Sequence, residues 1–221
     1  MTVGAEAEDR AQFMLLMRAK GVRDLALLRA LERAPRALFA PQRYADIAGR
    51  DIALPIGAGQ TAPPPSIVAA MIEALSVEPH HSVLEIGTGA GYATALIAQL
   101  ARAVFTLERS QSLALEAATR LQSLGATNVE VAWADALADD APPGPFDRIL
   151  VHALIDDHVE RFVGRLADDG VLVAASLSAR EGGCEQRIVK ISRRPSGGFV
   201  SEEVGPARSF ANLAAGLSRG A

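Results

Sequence analysis

The stretch from Val83 to Tyr92, which reads VLEIGTGAGY, constrains the fold more than any other part of the chain. A short apolar run enters a turn that has glycine at every second position, and a helix-forming segment follows. Glycine has no Cβ, so a ligand can approach the backbone closely at Gly87, Gly89 and Gly91. The free N–H groups and the positive dipole end of the following helix face the same point. We therefore expect a strand, a ligand-binding turn and a helix, in that order.

A second apolar strand is predicted at Ala103–Leu107, and Glu108 follows it directly. An acid at the end of the second strand of such a unit can accept hydrogen bonds from both hydroxyl groups of a ribose. The ordered set of strand, glycine-rich turn, helix, strand and terminal acid predicts a Rossmann-type site for a nucleoside.

The spacing of the glycines indicates which nucleoside is bound. A dinucleotide site prefers G-x-G-x-x-G, whereas this turn reads E-x-G-x-G-x-G and begins with Glu85. The chain has no G-x-x-x-x-G-K-[ST] motif, so a Walker-type nucleotide site is not expected. The motif favours S-adenosylmethionine, with Glu85 near its cationic groups, and leaves a nicotinamide dehydrogenase as a distant alternative.

The candidate cofactor residues follow from these strands and the turn between them. Asp135 comes after the third predicted strand, where its carboxylate can accept a hydrogen bond from the adenine amino group. Arg109 and Ala136, which follow Glu108 and Asp135, are included as well. The set is Glu85, Gly87, Thr88, Gly89, Gly91, Tyr92, Glu108, Arg109, Asp135 and Ala136.

Composition excludes several classes of protein. Cys184 is the one cysteine among 221 residues, which rules out an internal disulfide, and no His stands in register to make it a nucleophile. His80 and His81 have no cysteine or acid cluster beside them in sequence, so no metal site is predicted. The net charge of −4 does not favour a nucleic-acid partner. The chain shows no secretory signal and no apolar stretch long enough for a membrane span, which predicts a cytoplasmic protein.

From residue 82 onward the predicted strands and helices alternate, which indicates an α/β fold with a parallel sheet covered on both faces. A C-terminal hairpin is predicted at the sheet edge, at Gln186–Ser192 and Phe199–Val204. We expect residues 1–75 to form a helical cap with a substrate loop, and residues 76–221 to form the cofactor domain with its hairpin.

The pattern also predicts the individual elements. Residues 1–9 are expected to be disordered, and the segment 51–65, rich in Gly and Pro, is expected to be an irregular functional loop. Asp24 is a candidate N-cap. Helices are predicted near 10–20, 24–33, 66–75, 92–101, 111–123 and 158–167, and strands near 82–86, 103–108, 129–133, 146–151 and 170–175.

Between Met17 and Ala174 the chain resembles the bacterial protein-L-isoaspartate O-methyltransferases. The most specific segments are LPIGAGQT at Leu54–Thr61 and the glycine motif at Val83–Tyr92. The short runs LGATNV at Leu124–Val129 and PFD at Pro145–Asp147 also fit. The resemblance implies a Rossmann-like seven-stranded methyltransferase fold that uses S-adenosylmethionine. It further implies that the substrate is a damaged protein or peptide whose isoaspartyl carboxyl group is methylated to start repair.

Two segments depart from the family pattern. The family's loop continues after Gly-Gln-Thr with Ile-Ser-Gln-Pro, whereas here the run is Ala62-Pro63-Pro64-Pro65, so Pro63 stands at the position of the family's active-site serine. After the fourth strand the family has a Thr followed by small residues and Pro. Here the chain reads His152-Ala-Leu-Ile-Asp-Asp157, so larger and charged side chains replace the small ones. The resemblance implies Thr61 and Pro63 as catalytic candidates and adds Gln60 to the cofactor candidates. His152 is a further catalytic candidate because it lies just beyond the carboxyl end of a strand.

The chemistry decides which side chains are needed. An isoaspartyl carboxylate has a pKa of about 4, so it is already ionised at neutral pH and needs no general base. The enzyme mainly aligns carboxylate oxygen with methyl carbon and excludes water. An alcohol or amine acceptor would benefit from a base, and His152 or Asp156 would be the candidates, since both follow the carboxyl end of a strand.

Three hypotheses remain open on the sequence alone. The chain is an isoaspartyl methyltransferase, a methyltransferase of the same fold with another acceptor, or a non-catalytic protein that binds S-adenosylmethionine. The Gly59-Gln60-Thr61 run favours the first two, and Pro63 favours the second over the first. In each case we expect a monomer or a weak homodimer.

Overall fold

A computed structural model of the chain describes residues 3–139, 141–142, 144–180, 183–194, 197–208 and 210–219. The strands are β1 Leu54–Gly57, β2 Gln60–Ala62, β3 Ser82–Ile86, β4 Ala103–Glu108, β5 Val129–Trp133, β6 Phe146–Leu154, β7 Leu166–Arg180, β8 Gly183–Arg193 and β9 Phe199–Pro206. The α-helices are α1 Val3–Ala19, α2 Leu25–Arg33, α3 Pro65–Leu75, α4 Tyr92–Ala98, α5 Gln111–Ser123 and α6 Val159–Val163, and 3-10 helices span Arg36–Leu38 and Gln42–Ile47.

Strands β3 to β9 form a seven-stranded sheet in the order β5-β4-β3-β6-β7-β8-β9. The strands from β5 to β7 are parallel, and β8 and β9 add antiparallel strands at one edge. The chain winds outward from β3 to β5 and then returns to the other side of β3 as β6. This reversal opens a crevice at the carboxyl ends of β3 and β6, where open α/β sheets bind ligands. The predicted seven-stranded fold and its edge hairpin are confirmed.

Side chains alternate between the two faces of the sheet. Val83 points into a core cluster with Met17, Leu31, Leu75 and Leu96, so the N-terminal helices pack on the same sheet face as α4. The opposite face carries a second cluster, which contains Leu84, Ile149, Phe162 and Leu172 and includes α6. Both faces of the parallel part of the sheet are thereby covered.

Two predictions about the first third of the chain are wrong. Helix α1 begins at Val3 and not near residue 10, because Ala and Glu in residues 3–9 are good helix formers. Residues 1–2 lie outside the described part. The segment 51–65 contains the antiparallel pair β1–β2, because Gly57, Ala58 and Gly59 all adopt positive φ and reverse the chain between the strands.

The remaining differences concern element ends. Asp24 caps α2 as predicted, with its carboxylate accepting from Leu27 N at 2.7 Å. Helix α4 ends at Ala98, earlier than predicted, and α6 spans only Val159–Val163 because the chain turns at Gly164 and enters β7 at Leu166. Within the described residues, none of the helices is both long and apolar enough to cross a bilayer.

Candidate active site

A cavity of about 280 Å³ lies at the crevice between the carboxyl ends of β3 and β6. Its walls include the β1–β2 segment, the glycine-rich turn and the tail after β9, together with the ends of β4 and β6 and the loop after β5. Eleven of the sequence-predicted candidates line it: Gln60, Thr61, Pro63, Gly87, Thr88, Gly89, Tyr92, Glu108, Arg109, Ala136 and His152. The predicted residues Glu85, Gly91 and Asp135 do not line the cavity.

The glycine-rich turn is shaped by neighbours on both sides. At Gly89 a Cβ would lie 3.0 Å from the Cδ1 atom of Ile56, so the β1–β2 segment is packed directly on this turn. Gly91 has a φ of +88° and is the N-cap of α4. A Cβ there would lie 3.4 Å from the Cβ of Ala117 in α5. The lack of a side chain at Gly91 therefore lets α5 pack closely against the turn. The lack of one at Gly89 leaves its backbone exposed to the cavity.

Glu108 ties the end of β4 to the glycine-rich turn. Its side chain is buried, with Oε2 accepting from Gly89 N at 2.9 Å and Oε1 accepting from Ser110 N at 2.8 Å. Each carboxylate oxygen has two acceptor sites, so both oxygens retain one for a further donor. Since Glu108 also lines the cavity, its carboxylate is placed to accept from two neighbouring hydroxyl groups of a ligand.

Glu85 lies behind the cavity wall and not on its surface. The residue is 0 % exposed, and its Oε2 accepts from Thr94 Oγ1 at 2.5 Å and from Thr106 Oγ1 at 2.7 Å. Its Oε1 lies 3.1 Å from Nε2 of His152. The carboxylate thus joins α4, β4 and β6, and any effect of Glu85 on a bound cofactor passes through these partners.

His152 is held on one side by this network. The side chain is 10 % exposed, Nε2 faces Glu85, and Nδ1 is buried with no partner among the described residues. Asp156 does not line the cavity, and its carboxylate accepts from Ser176 Oγ at 2.6 Å and from Leu177 N at 3.0 Å, both on β7. This arrangement does not favour either side chain as a free base in the cavity.

Tyr92 closes the inner end of the cavity. It is buried against the ring of Phe39, at 5.4 Å between centroids, and burial raises the pKa of its hydroxyl. Gln60 and Thr61 are exposed on β2, and Pro63 is partly exposed just beyond it. The cavity therefore has a buried inner wall and an outer wall that a large substrate can reach.

The tail after β9 forms a wall that the sequence did not predict. Phe210, Ala211, Asn212, Leu213 and Ala214 all line the cavity. The tail runs beside the ends of two strands, since Leu213 N donates to Leu154 O at 3.0 Å and Ser218 N donates to Arg109 O at 2.8 Å. These are long-range backbone contacts, and no motif in the tail indicates them.

Asp135 fastens the same tail. One carboxylate oxygen accepts from Gly216 N at 2.6 Å, and the other accepts from Leu137 N at 2.8 Å. Further out, the guanidinium of Arg219 lies 5.9 Å from the ring centre of Trp133. The hydrogen bond from Asp135 to adenine stays a prediction, and the structure adds a second role for this carboxylate.

A group outside the cavity brings three side chains with metal-binding atoms together. The ligand atoms of Glu78, His80 and His81 lie within 4.8 Å of one another. However, Nδ1 of His81 accepts from Glu78 N at 2.9 Å, and burial lowers the pKa of His81, so the ring is held neutral with its proton on Nε2. Neither nitrogen of His81 then offers a lone pair to a cation.

Comparison with known proteins gives one consistent family. The model of the protein-L-isoaspartate(D-aspartate) O-methyltransferase family matches residues 8–211. A protein-L-isoaspartate O-methyltransferase of Rhodopseudomonas palustris is 40% identical over 215 residues, which are 97% of this chain and 98% of the relative. The protein of the same name from Azorhizobium caulinodans is 43% identical over 186 residues, covering 84% of this chain and 86% of the relative.

Solved structures agree in fold. A Plasmodium falciparum chain, described as a beta-aspartate methyltransferase and solved with S-adenosyl-L-homocysteine, has a TM-score of 0.76 at 19% identity and covers 92% of this chain and 97% of its own. A second structure, a protein-L-isoaspartate O-methyltransferase, has the same TM-score of 0.76 at 22% identity and covers 92% of this chain and 67% of its own. At these identities the likeness establishes the methyltransferase fold.

Proposed function

The chain belongs to the protein-L-isoaspartate(D-aspartate) O-methyltransferase family, and we propose that it methylates the side-chain carboxylate of isoaspartyl residues in proteins with S-adenosylmethionine. The observation that carries the proposal is the meeting of two segments at one cavity. Gln60 and Thr61, from the segment most specific to the family, and Pro63 just beyond it line the same 280 Å³ space as the glycine-rich turn and Glu108. An acceptor and a cofactor held by these two walls would face each other.

The cavity fits the cofactor in its donors, acceptors and apolar walls. Backbone at Gly87 and Gly89 approaches the ligand space, the two free acceptor sites of Glu108 match a ribose, and Ile86, Ala134 and Leu213 offer apolar surface for a flat base. When bound, S-adenosylmethionine supplies a methyl group on a positively charged sulfur, which becomes neutral once the methyl has left with the acceptor oxygen.

The residues of this chain supply alignment and exclusion of water. Because the acceptor carboxylate is ionised at neutral pH, no side chain has to remove a proton from it. This agrees with His152, whose ring faces Glu85 and whose Nδ1 is buried. Tyr92, Ile86 and the tail residue Leu213 give the cavity apolar walls, which keep water from the methyl group.

Pro63 motivates a second candidate, a methyltransferase with a different acceptor. Proline offers neither the hydroxyl nor the N–H that a serine would give to a carboxylate. His152 lines the cavity, but its Nδ1 is buried and its Nε2 is paired with Glu85. This counts against the alternative, because an alcohol or amine acceptor would need a base with a nitrogen free to face it. The isoaspartyl acceptor is therefore the better supported of the two.

The direct test is methyl transfer to a synthetic isoaspartyl peptide. Tritiated S-adenosylmethionine is supplied with the isoaspartyl peptide and, separately, with its aspartyl twin. We expect base-labile label in the isoaspartyl peptide alone. Label in neither peptide, from a protein that binds S-adenosylhomocysteine in calorimetry, would contradict the proposed acceptor and leave the cofactor assignment intact.

Pro63→Ser is expected to raise kcat/KM for the isoaspartyl peptide by about tenfold, worth about 1.4 kcal/mol of barrier. The new hydroxyl and N–H would give the acceptor carboxylate two donors that the wild-type segment does not have. Pro64→Ser is the matched control, because Pro64 is the adjacent proline and does not line the cavity. Equal rate changes in both variants would assign the effect to loop stiffness.

Glu108→Ala is expected to weaken cofactor binding by at least tenfold. Each lost hydrogen bond to a charged acceptor is worth about 1.5–3 kcal/mol. The melting temperature should also fall, since Gly89 N and Ser110 N lose their acceptor. Calorimetric titration with S-adenosylhomocysteine measures the affinity, and Glu116→Ala, exposed on α5, is the control. An unchanged affinity with a lowered melting temperature would make Glu108 a purely structural acid.

Several finer statements stay predictions. They are the division into a cap of residues 1–75 and a cofactor domain of residues 76–221, a cytoplasmic location, the lack of a nucleic-acid partner, and a monomer or weak homodimer. The partner that the proposal itself requires is a protein or peptide that carries isoaspartyl residues.

A further inference from the structure

Arg36 lies buried beneath the segment that carries Thr61 and Pro63. The residue is 5 % exposed and begins the first 3-10 helix, after α2. Its guanidinium donates through Nη2 to Pro63 O at 2.9 Å and through Nη1 to Ile52 O at 3.0 Å. The same Nη1 lies 3.4 Å from Ala48 O and 3.5 Å from Arg50 O. One cation thus gathers carbonyl groups from both ends of the segment 48–63.

Burial of this guanidinium is costly, which makes its set of partners informative. A charge removed from water is tolerated only where its N–H groups are satisfied. Desolvation lowers the pKa of Arg36, and Tyr92 and Asp51 only partly offset that effect. Its four acceptors among the described residues are all main-chain carbonyls of one segment. The hydrogen bonds that compensate for burial of this charge therefore fix the backbone path of the segment 48–63.

The three consecutive prolines explain why the segment depends on side-chain donors. Pro63, Pro64 and Pro65 have no N–H, so they cannot hold the chain in place by donating to a neighbouring strand. Their carbonyl groups can still accept, and Arg36 supplies the donor for Pro63. Past β2, where the pairing with β1 ends, this hydrogen bond is a direct tie between the cavity wall and the helical part of the chain.

Asp51 fixes the segment from a second direction. Its carboxylate accepts from Ser66 N at 3.0 Å and from Ser66 Oγ at 2.9 Å, and Lys20 Nζ lies 3.1 Å away. Burial alone would raise the pKa of Asp51, but the bonds from Ser66 and the charge of Lys20 outweigh it and lower the pKa. The start of the segment is thus joined to α3 and to Lys20, which follows α1, whereas Pro63 relies on Arg36.

We propose that Arg36 is a positioning residue for the methyl acceptor. By holding Ile52 and Pro63 together it sets the β1–β2 segment against the glycine-rich turn, where Ile56 packs over Gly89. Arg36 does not line the 280 Å³ cavity, so it acts on the acceptor only through this segment. The inference rests on the proposed function in one respect, which is that the acceptor bound by the segment is an isoaspartyl peptide.

The test compares Arg36→Met with Arg36→Lys and with the control Arg33→Met, which changes an exposed arginine at the end of α2. For Arg36→Met we expect KM for the isoaspartyl peptide to rise at least tenfold, while Kd for S-adenosylhomocysteine stays within about twofold. Hydrogen exchange, followed by mass spectrometry, should quicken in residues 48–62 and stay unchanged in the glycine-rich turn. Arg36→Lys should recover part of the KM change, and Arg33→Met should show none of these effects.

A purely structural role would give a different pattern. It would lower the melting temperature and weaken cofactor and peptide binding together, and that result would overturn the proposal. Unchanged exchange in residues 48–62 would also overturn it, and this readout needs no catalytic activity. If wild-type protein binds S-adenosylhomocysteine but does not methylate the peptide, the proposed acceptor fails in the wild type itself. A failure confined to the Arg36 proposal would instead leave wild-type methylation intact.

Discussion

Glu85→Ala is expected to lower the free energy of unfolding by about 3–5 kcal/mol, the range for a buried charged group whose partners are left unpaired. The carboxylate is fully buried, and its removal would leave Thr94, Thr106 and His152 without their acceptor at the junction of α4, β4 and β6. Urea denaturation measures the change.

Glu130→Ala provides the matched control, because Glu130 has the same side chain on β5 of the same sheet and is exposed. We expect it to change stability by less than about 0.5 kcal/mol. A loss below about 1 kcal/mol for Glu85→Ala would show that the three partners find other acceptors or water, and the network would then not be a source of stability.

The parts of the site that could be predicted from the sequence are contiguous in the chain. The glycine-rich turn and its helix occupy one stretch, and Glu108 follows the next apolar run. Such signals depend on local rules, namely strand periodicity, the conformational freedom of glycine and the unpaired N–H groups of a helix start. These rules do not require knowledge of which distant segments meet.

Glu85 shows where local sequence patterns stop predicting the surroundings of a side chain. The motif indicates an acid before the turn, but its surroundings depend on strand register, in which Glu85 lies beside Thr106 of β4. The alternation of β3 then directs its carboxylate toward Thr94 of α4. A Thr in each of these two positions is an ordinary residue in the sequence, so the acid was expected beside the cofactor and is found behind the cavity wall.

Arg36 and the tail could not be predicted for a related reason. The partners of Arg36 are main-chain carbonyls, and every residue has a carbonyl, so no residue pattern marks them. The tail makes isolated bridges between Leu154 and Asn212 and between Ser110 and Ser218, which have neither strand nor helix periodicity. Contacts of this kind arise from the folded shape of the whole sheet and leave no local signal.

Shortening the chain after Arg208 is expected to weaken binding of S-adenosylhomocysteine by about 100-fold, or about 2.7 kcal/mol. The deletion removes Phe210, Asn212 and Leu213, which form one wall of the cavity, and lets water reach the ligand. Phe210 also belongs to a core cluster, so the melting temperature should fall as well. Calorimetric titration below that temperature measures the affinity.

A shorter deletion separates the wall from its fastening. Ending the chain after Ala214 keeps every cavity-lining residue of the tail and removes Gly216 and Ser218, whose N–H groups donate to Asp135 and to Arg109 O. We expect about a tenfold loss of affinity, because the remaining tail stays in place for only part of the time. If both deletions leave the affinity unchanged, the tail is not a functional wall.

Asp135→Ala, made in the full chain and in the chain that ends after Ala214, decides between the two roles of this carboxylate. A fastening role predicts that the substitution weakens binding in the full chain and adds nothing once Gly216 is gone, since the two changes break the same hydrogen bond. A direct bond to adenine predicts a further loss in the shortened chain. Asp139→Ala, exposed in the same loop, is the control and should change the affinity in neither background.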